Sequence, residues 1–230
     1  MEKVFNVNNL KIEKNAVETL QLFCDFLLEK NKQFNITAIR DKEGVFEKHF
    51  ADSLMGKDYF FKNAKILEVG SGGGFPSIPL KANEQSLNFT LLEATGKKCE
   101  FLKQAKDLLG FENFTVINGR AEELARNKDY REHFDIVTAR AVAELNVLAE
   151  LCLPFLKVGG IAVFYKLKSE EELTRGKNSV KILGGEICEI KNYTLQGVEG
   201  ERNIIIIKKV APTAEKYPRE YKKIIKSPLI

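Results

Sequence analysis

The sequence has few of the residues that disulfide frameworks and metal sites need. Its 230 residues include only two histidines, His49 and His133. The cysteines lie far apart and form no C-x-x-C pair: Cys24, Cys99, Cys152 and Cys188. Reduced and mostly buried thiols therefore fit this spacing better than a disulfide-stapled secreted domain or a zinc site. We expect no bound metal.

Long apolar runs are also missing. No run approaches the roughly 18 apolar residues that a membrane-spanning helix needs. Residues 1–6 also lack the apolar core of a signal peptide. An apolar content of 44% is still enough for a sizeable core, and 30% charged residues suit a soluble chain. Together these features predict a cytoplasmic protein that does not enter the membrane.

Several catalytic motifs are absent from the sequence. It contains no nucleophile elbow, no H-E-x-x-H pair, no kinase motif set and no phosphate loop ending in Gly-Lys-Ser or Gly-Lys-Thr. No pair of carboxylates stands in an identifiable acid–base arrangement. The catalytic residues are therefore left unassigned.

Residues 65–76, KILEVGSGGGFP, form a motif that is typical of ligand binding. Its apolar part is long enough for a buried strand, residues 70–74 include four glycines, and Pro76 and Pro79 follow where a helix would begin. Glycine permits positive φ and close approach of a ligand, and proline is tolerated in a first helical turn. The pattern predicts a strand, a tight loop and a helix N-terminus, which commonly hold a nucleotide-like ligand. The alternative is a glycine-rich turn that binds nothing.

The spacing of these glycines narrows the ligand class. In a G-x-G-x-x-G fingerprint counted from Gly70, the third glycine position holds Phe75, and counted from Gly72 it holds Ser77. The dinucleotide fingerprint therefore fails in both registers. The remaining G-x-G-x-G suits an adenosyl ligand without a pyrophosphate, such as S-adenosylmethionine.

The rest of the chain alternates between strand and helix patterns. The predicted strands are 65–69, 88–93, 114–117, 134–138, 161–166, 186–194 and 203–209. The predicted helices that follow the glycine loop are 76–84, 96–109, 120–127, 141–156 and 169–183. This alternation predicts an α/β fold, with a mostly parallel sheet and helices on both of its faces. The last two strands are predicted to form an antiparallel hairpin, because no helix pattern separates them.

Two amphipathic helices, at 14–32 and about 42–56, precede the sheet. We therefore predict a helical N-terminal extension at 1–62, an α/β domain at 63–210 and a C-terminal tail at 211–230. Residues 208–230 hold seven Lys/Arg and two Asp/Glu, a net charge of +5. Residues 1–207 therefore carry a net charge of −1, which gives the chain its total of +4. A basic tail on a near-neutral body suits nucleic-acid binding, with a solvated terminus as the alternative.

Polar side chains follow the predicted strands at the edge where ligands bind in open α/β sheets. Glu93 ends the second strand, where a carboxylate can accept hydrogen bonds from ribose hydroxyls, unless it is only a solvated strand end. After the third strand, residues 118–123 are predicted to form a turn that leads into a helix. Arg140 lies just after the fourth strand and is expected to face a cofactor or substrate, with a helix cap or a surface ion pair as the alternative. Lys166 and Lys168 lie at the end of the fifth strand. His49, in the second helix, is expected to be partly exposed rather than catalytic.

An ordered set of motifs closely resembles the bacterial glucose-inhibited division protein B family over nearly the whole chain. The motifs are NITAIRD (35–41), KHFADSL (48–54), LEVGSGGGFPSIPL (67–80), LLEATGKKCEFLK (91–103), GRAEEL (119–124), FDIVTARAVAEL (134–145) and KYPREYKKIIKSPL (216–229). The family consists of small-subunit ribosomal RNA guanine-N7 methyltransferases.

The resemblance implies a Rossmann-like class I methyltransferase that uses S-adenosylmethionine and methylates N7 of guanosine 527 in 16S ribosomal RNA. It also implies a cytoplasmic enzyme, which we expect to be a monomer, with 16S RNA or the small ribosomal subunit as its partner. The cofactor-binding residues that the motifs and the resemblance together predict are Gly70, Phe75, Glu93, Ala121, Glu122 and Arg140. Glu93 stands where the family more often has aspartate.

The basic residues around the sheet edge are predicted to bind RNA phosphates: Arg40, Lys48, Lys166 and Lys168, with the lysines of the tail. Two other functions stay open on the sequence alone. A methyltransferase for a protein or a small molecule would not need the basic tail. A nucleic-acid-binding module with a decayed cofactor fold would not bind S-adenosylmethionine.

Overall fold

One mixed sheet of seven strands organises the fold. The computed structural model describes residues 1–230, apart from the side chain of Glu2. The strands are β1 (Lys65–Val69), β2 (Asn88–Glu93), β3 (Phe114–Asn118), β4 (Phe134–Arg140), β5 (Leu156–Leu167), β6 (Gly185–Leu195) and β7 (Val198–Lys209). Their order is β3-β2-β1-β4-β5-β7-β6. The pairs among β1 to β5 are parallel, whereas β7 runs antiparallel to both β5 and β6, which confirms the predicted fold class.

Ten α-helices surround the sheet. They are α1 (Glu2–Val7), α2 (Lys14–Asn31), α3 (Lys42–Val45), α4 (Asp52–Leu54), α5 (Ser77–Asn83), α6 (Gly96–Leu109), α7 (Ala121–Leu124), α8 (Leu145–Cys152), α9 (Glu170–Ile182) and α10 (Tyr221–Lys226). A π-helical segment, Phe46–Ala51, joins α3 to α4, and 3-10 turns occupy Lys57–Tyr59 and Leu153–Phe155. No helix of the described residues is both long enough and apolar enough to cross a membrane.

The sheet separates two apolar cores, because successive side chains of a strand point to opposite faces. On β1, Ile66 enters the first core, and Leu67 and Val69 enter the second. The first core also contains the fully buried Phe23 of α2 and Phe50 of the π-helical segment. The helices before the sheet therefore share a core with it, and the predicted division of the chain at residue 62 stays a prediction.

The second core lies under α8, α9 and the C-terminal segment. All eight residues of α8 are buried, and Ile224 of α10 is fully buried in the same core. The tail is thus folded against the protein rather than free in solvent.

The order of the strands reverses direction between β1 and β4. The chain runs outward from β1 to β2 and β3 on one side, and then returns to β4 and β5 on the other. In open α/β sheets, ligands bind beyond the carboxyl ends of the strands at such a reversal. Here the glycine loop follows the carboxyl end of β1 at Val69, and Arg140 is the last residue of β4.

Most predicted element bounds agree with the structure to within a few residues, and the exceptions have local causes. The predicted helix 141–156 begins only at Leu145, because Ala141 has a left-handed φ of +55° that interrupts a helix. The fifth strand begins at Leu156 rather than at 161, with a register irregularity against β4. The patterns do not predict α1 or α10.

Candidate functional site

The glycine loop turns sharply between β1 and α5. Gly70, Gly72 and Gly74 have φ of +70°, +54° and +82°, a region that L side chains rarely adopt. The amide of Gly70 donates to the carbonyl of Leu92 at 2.8 Å, which ties the loop to β2. A Cβ added to Gly74 would lie 2.4 Å from Ile78 Cδ1, so only glycine lets the loop pack this closely on α5.

Glu93, at the end of β2, lies directly against this loop. Its Oε2 accepts a hydrogen bond of 2.9 Å from the amide of Gly72, and its Oε1 accepts one of 2.8 Å from the amide of Thr95. The side chain is buried. A carboxylate offers about four acceptor sites, so two remain for hydroxyl groups of a ligand over the loop.

Glu68 is a buried carboxyl group that the sequence reasoning missed. It precedes the loop on β1, is fully buried, and neither carboxyl oxygen has a hydrogen-bond partner among the described residues. Burial raises its pKa to about 8, and the nearby Ser77 and Arg140 offset this only in part. An acidic residue inside the apolar run Ile66–Val69, just before the glycines, is the signal that would have identified it.

The turn after β3 lies at the same edge of the sheet. The Asn118 side-chain amide and the Gly119 backbone amide both donate to the carbonyl of Glu93, at 3.0 and 3.1 Å. The chain then enters α7, where Ala121 and Glu122 are both buried. Arg120 Nε lies 3.0 Å from Glu122 Oε1 and fixes the orientation of that carboxylate.

Arg140 is held on the opposite side of the loop by several contacts. Its Nη1 donates to Asp52 Oδ2 at 2.9 Å and to the carbonyl of Lys48 at 3.1 Å. Its guanidinium lies 5.0 Å from the centre of the Phe75 ring. Arg140 therefore forms a buried ion pair with Asp52 rather than a surface one, and its contact with a cofactor stays a prediction.

His49 completes this side of the site. Its ring stacks on Phe75 with centres 4.3 Å apart, and its Nδ1 lies 2.9 Å from Arg140 Nη2. Burial and the positive charge of Arg140 lower the pKa of His49 to about 3. Arg140 has only donors, so Nδ1 accepts and Nε2–H donates to Thr37 Oγ1 at 2.8 Å. His49 is partly exposed, as expected, and neutral.

A cavity of about 420 Å³ adjoins the loop, since His49 and Arg140 line it as well as contacting Phe75. Four basic side chains and two carboxylates line the cavity, giving a formal charge of +2 (four minus two): Lys48, Arg140, Lys166, Arg202, Asp52 and Glu172. Tyr165 and Tyr193 add aromatic surface. The cavity therefore suits an aromatic ligand that carries negative charge.

Contacts at one edge of the sheet join the glycine loop to Glu93, Glu93 to the turn before α7, and Phe75 to Arg140. The predicted RNA residues do not form one group. Lys48 and Lys166 both line the cavity. Lys166 is held by Glu172 at 2.7 Å, whereas the exposed Lys168 pairs with Glu201. Arg40 is exposed and donates to the carbonyl of Asn31 and the side chain of Asn35. Of these four residues, Lys48 is the one that is exposed and also lines the cavity.

Comparison with known proteins decides the family. The model of the GidB family, described as rRNA small subunit methyltransferase G, matches residues 16–205. The chain belongs to this family. A member named Ribosomal RNA small subunit methyltransferase G from Exiguobacterium sibiricum is 43% identical over 223 residues, which cover 96% of this chain and 94% of that protein. The Bacillus subtilis member of the same name is 41% identical, over 96% and 93% of the two chains.

A solved methyltransferase shares the fold of this GidB-family chain. The crystal structure of precorrin-6y C5,15-methyltransferase from Geobacter metallireducens covers 68% of this chain, and 87% of that chain is covered. The TM-score is 0.53 and the sequence identity is 17%. At this identity the likeness shows the class I methyltransferase fold alone.

Proposed function

We propose that this protein transfers the methyl group of S-adenosylmethionine to N7 of a single guanosine, guanosine 527, in 16S ribosomal RNA. The observation that carries the proposal is the near full-length similarity to proteins named Ribosomal RNA small subunit methyltransferase G, at 43% identity for the Exiguobacterium sibiricum member. The contacts around the glycine loop and the neighbouring cavity support the proposal.

The chain's own residues fit the proposed cofactor. S-adenosylmethionine carries a cationic ammonium and a cationic sulfonium, and it supplies the methyl group on that sulfonium. The orphaned carboxyl of Glu68 lies buried beside the loop, where a buried polar group without a partner costs free energy. A cationic group placed there would ionise Glu68 and satisfy it. The residues proposed to hold the cofactor are Gly70, Phe75, Glu93, Ala121, Glu122 and Arg140, with Glu68 added.

Glu93 and Phe75 would contact different parts of the ligand. The two remaining acceptor sites of Glu93 suit the hydroxyls of a ribose. Phe75 is held by His49, which stacks on its ring, and by the Arg140 guanidinium 5.0 Å from the ring centre, and it is proposed to give the cofactor an apolar contact. Both groups are held by existing contacts, so little reorganisation is needed when a ligand binds.

The proposed reaction does not need a general base. Guanine N7 has a lone pair and no proton, so it can attack a methyl group directly when the two are aligned. Alignment and exclusion of water then supply much of the rate acceleration. The state of His49 agrees with this, because its neutral ring is already committed to Arg140 and Thr37.

The cavity next to the loop is the proposed position of the guanosine. Its formal charge of +2 attracts a nucleotide, and its tyrosines offer surface for a base. The deep, narrow major groove of A-form RNA hides N7, so the target base must lie in a loop or be extruded. Lys48 is exposed at the cavity and is proposed to bind an RNA phosphate.

Transfer of labelled methyl from S-adenosylmethionine to three acceptors tests the proposal. The acceptors are small ribosomal subunits that lack the modification, free guanosine and a mixture of cellular proteins. We expect label only in the RNA of the subunits. Label in protein or in the free nucleoside would replace the proposal with another methyltransferase class, and failure to bind the cofactor would leave only a nucleic-acid-binding role.

A further inference from the structure

The last eighteen residues, 213–230, form a C-terminal strap that is anchored to the segment 118–131. Arg126 Nη2 donates to the carbonyl of Pro218 at 2.6 Å. Arg131 donates to the carbonyls of Tyr217 at 2.9 Å and Thr213 at 2.7 Å. Backbone carbonyls of the strap are thus held by two arginines that follow α7, the helix that carries Ala121 and Glu122, which the resemblance predicts to contact the adenosine end of the cofactor.

The strap also contributes its own anchor to the second core. Arg219 forms a two-pronged ion pair with Glu150 of α8, with Nε–Oε1 at 2.8 Å and Nη2–Oε2 at 2.7 Å. Glu150 is fully buried, and so is Ile224 two positions before the end of α10. A buried, bidentate pair of this kind fixes geometry strongly. The strap therefore holds a defined position beside α7 and α8.

From this position the strap reaches the proposed cofactor crevice. The guanidinium of Arg120 lies 4.2 Å from the centre of the Tyr221 ring, within cation–π range. The same guanidinium lies 3.0 Å, at Nε, from Glu122 Oε1. Tyr221, Arg120 and Glu122 thus form a continuous chain of contacts from the strap to the entrance of α7.

We infer that the strap is part of the cofactor site, with Tyr221 and Arg120 as positioning residues. Tyr221 holds the Arg120 guanidinium by stacking on it, and Arg120 holds the Glu122 carboxylate in the orientation that faces the adenosine end of S-adenosylmethionine. The inference rests on the proposed function and deepens it. It also gives the basic tail a role other than binding RNA phosphate.

Binding of S-adenosylmethionine, followed by calorimetry on the full-length protein, tests this role. The test variant is Tyr221→Ala, and Tyr221→Phe is the conservative variant that keeps the ring. Ile225→Ala is the matched control, because Ile225 is exposed on the same helix. Thermal unfolding of each variant serves as the check that it is folded like the unchanged protein.

We expect Tyr221→Ala to raise the Kd for S-adenosylmethionine about two- to five-fold, the range that a cation–π contact at a half-exposed site supports. Tyr221→Phe and Ile225→Ala should bind like the unchanged protein. In an Arg120→Ala background, Tyr221→Ala should have no further effect on Kd, because a positioning residue acts only through its partner.

Three results would overturn the inference in distinguishable ways. Equal Kd values for Tyr221→Ala and the unchanged protein would remove the strap from the cofactor site. A change in KM for ribosomal subunits with an unchanged cofactor Kd would make the strap an RNA handle instead. No cofactor binding by the unchanged protein would overturn the proposed function itself.

Discussion

Asp52 and Arg140 form a buried ion pair of 2.9 Å between the helices that precede the sheet and the end of β4. Asp52 Oδ1 also accepts a hydrogen bond of 2.7 Å from the Tyr193 hydroxyl and lies 3.4 Å from Arg202 Nε. One carboxylate in α4 therefore joins three strands, β4, β6 and β7, at the functional edge. Through Arg140 it also fixes His49 and Phe75.

Replacing Asp52 should destabilise the protein strongly. Asp52→Asn leaves the buried Arg140 guanidinium without its counter-charge, and breaking a buried pair in this way costs about 3 kcal/mol or more. We expect the free energy of unfolding, measured by urea denaturation, to fall by that amount. Glu201→Gln is the matched control, because its pair with Lys168 is exposed and should contribute less than about 1 kcal/mol. Equal losses in the two variants would contradict the account of Asp52.

Glu68 should make stability fall as pH rises. Its folded-state pKa is about 8 against an ordinary 4.5, so between these values the unfolded chain has released a proton that the folded chain retains. The resulting loss is on the order of a few kcal/mol across that window. Urea denaturation as a function of pH should show this slope in the unchanged protein and a flatter one in Glu68→Gln. Identical slopes would show that Glu68 is not the group responsible.

His49 should remain neutral throughout the physiological range. A pKa of about 3 means that its imidazole gains no proton in the folded protein between about pH 5 and pH 8. As pH falls below 6.5, the unfolded chain binds a proton at this residue first, so its contribution to stability is lost toward low pH. We expect the NMR shifts of the His49 ring to stay constant over that range, with His133→Gln used for assignment. A midpoint near 6.5 would contradict the buried contact with Arg140.

Alanine substitutions at two glycines with similar backbone conformations distinguish the effect of backbone strain from the effect of lost ligand contact. Gly72 has φ +54° and Gly110 has φ +62°, and an added Cβ meets no heavy atom closer than 3.8 Å at Gly72 and none within 4 Å at Gly110. Alanine at either position should cost about 1–2 kcal/mol of stability from backbone strain. Only Gly72→Ala should also raise the Kd for S-adenosylmethionine, by about tenfold or more, equal to ~1.4 kcal/mol. An equal effect of Gly110→Ala on Kd would mean that strain alone weakens binding.

The sheet could be predicted from sequence because its signals are local. β1 and β2 are short segments of mostly apolar residues bounded by turn residues, and the predicted bounds of both agree with the structure. α6, Gly96–Leu109, was also predicted with its observed bounds, and it ends at Gly110 in a left-handed C-cap. The short α10 lacks such a pattern. Its formation depends on Ile224 entering a core built from distant residues.

The candidate site could be predicted only in part, because some of its contacts join residues that are distant in the sequence. The glycine loop and Glu93 carry their information in local spacing. The pairing of Asp52 with Arg140 joins residues 88 positions apart, and the contact of Arg120 with Tyr221 depends on where the strap docks. No local pattern encodes either contact. The same holds for Lys166, whose pairing with Glu172 shows only in three dimensions.

Mapping the methylated atom in 16S ribosomal RNA tests the central claim most directly. Unmodified small ribosomal subunits are incubated with the protein and S-adenosylmethionine, and the RNA is then reduced and cleaved with aniline, which cuts the chain at N7-methylguanosine. We predict one new cleavage, at guanosine 527, and one methyl group transferred per subunit. A methyl group on another atom or nucleotide, or no methyl group in the RNA, would contradict the account.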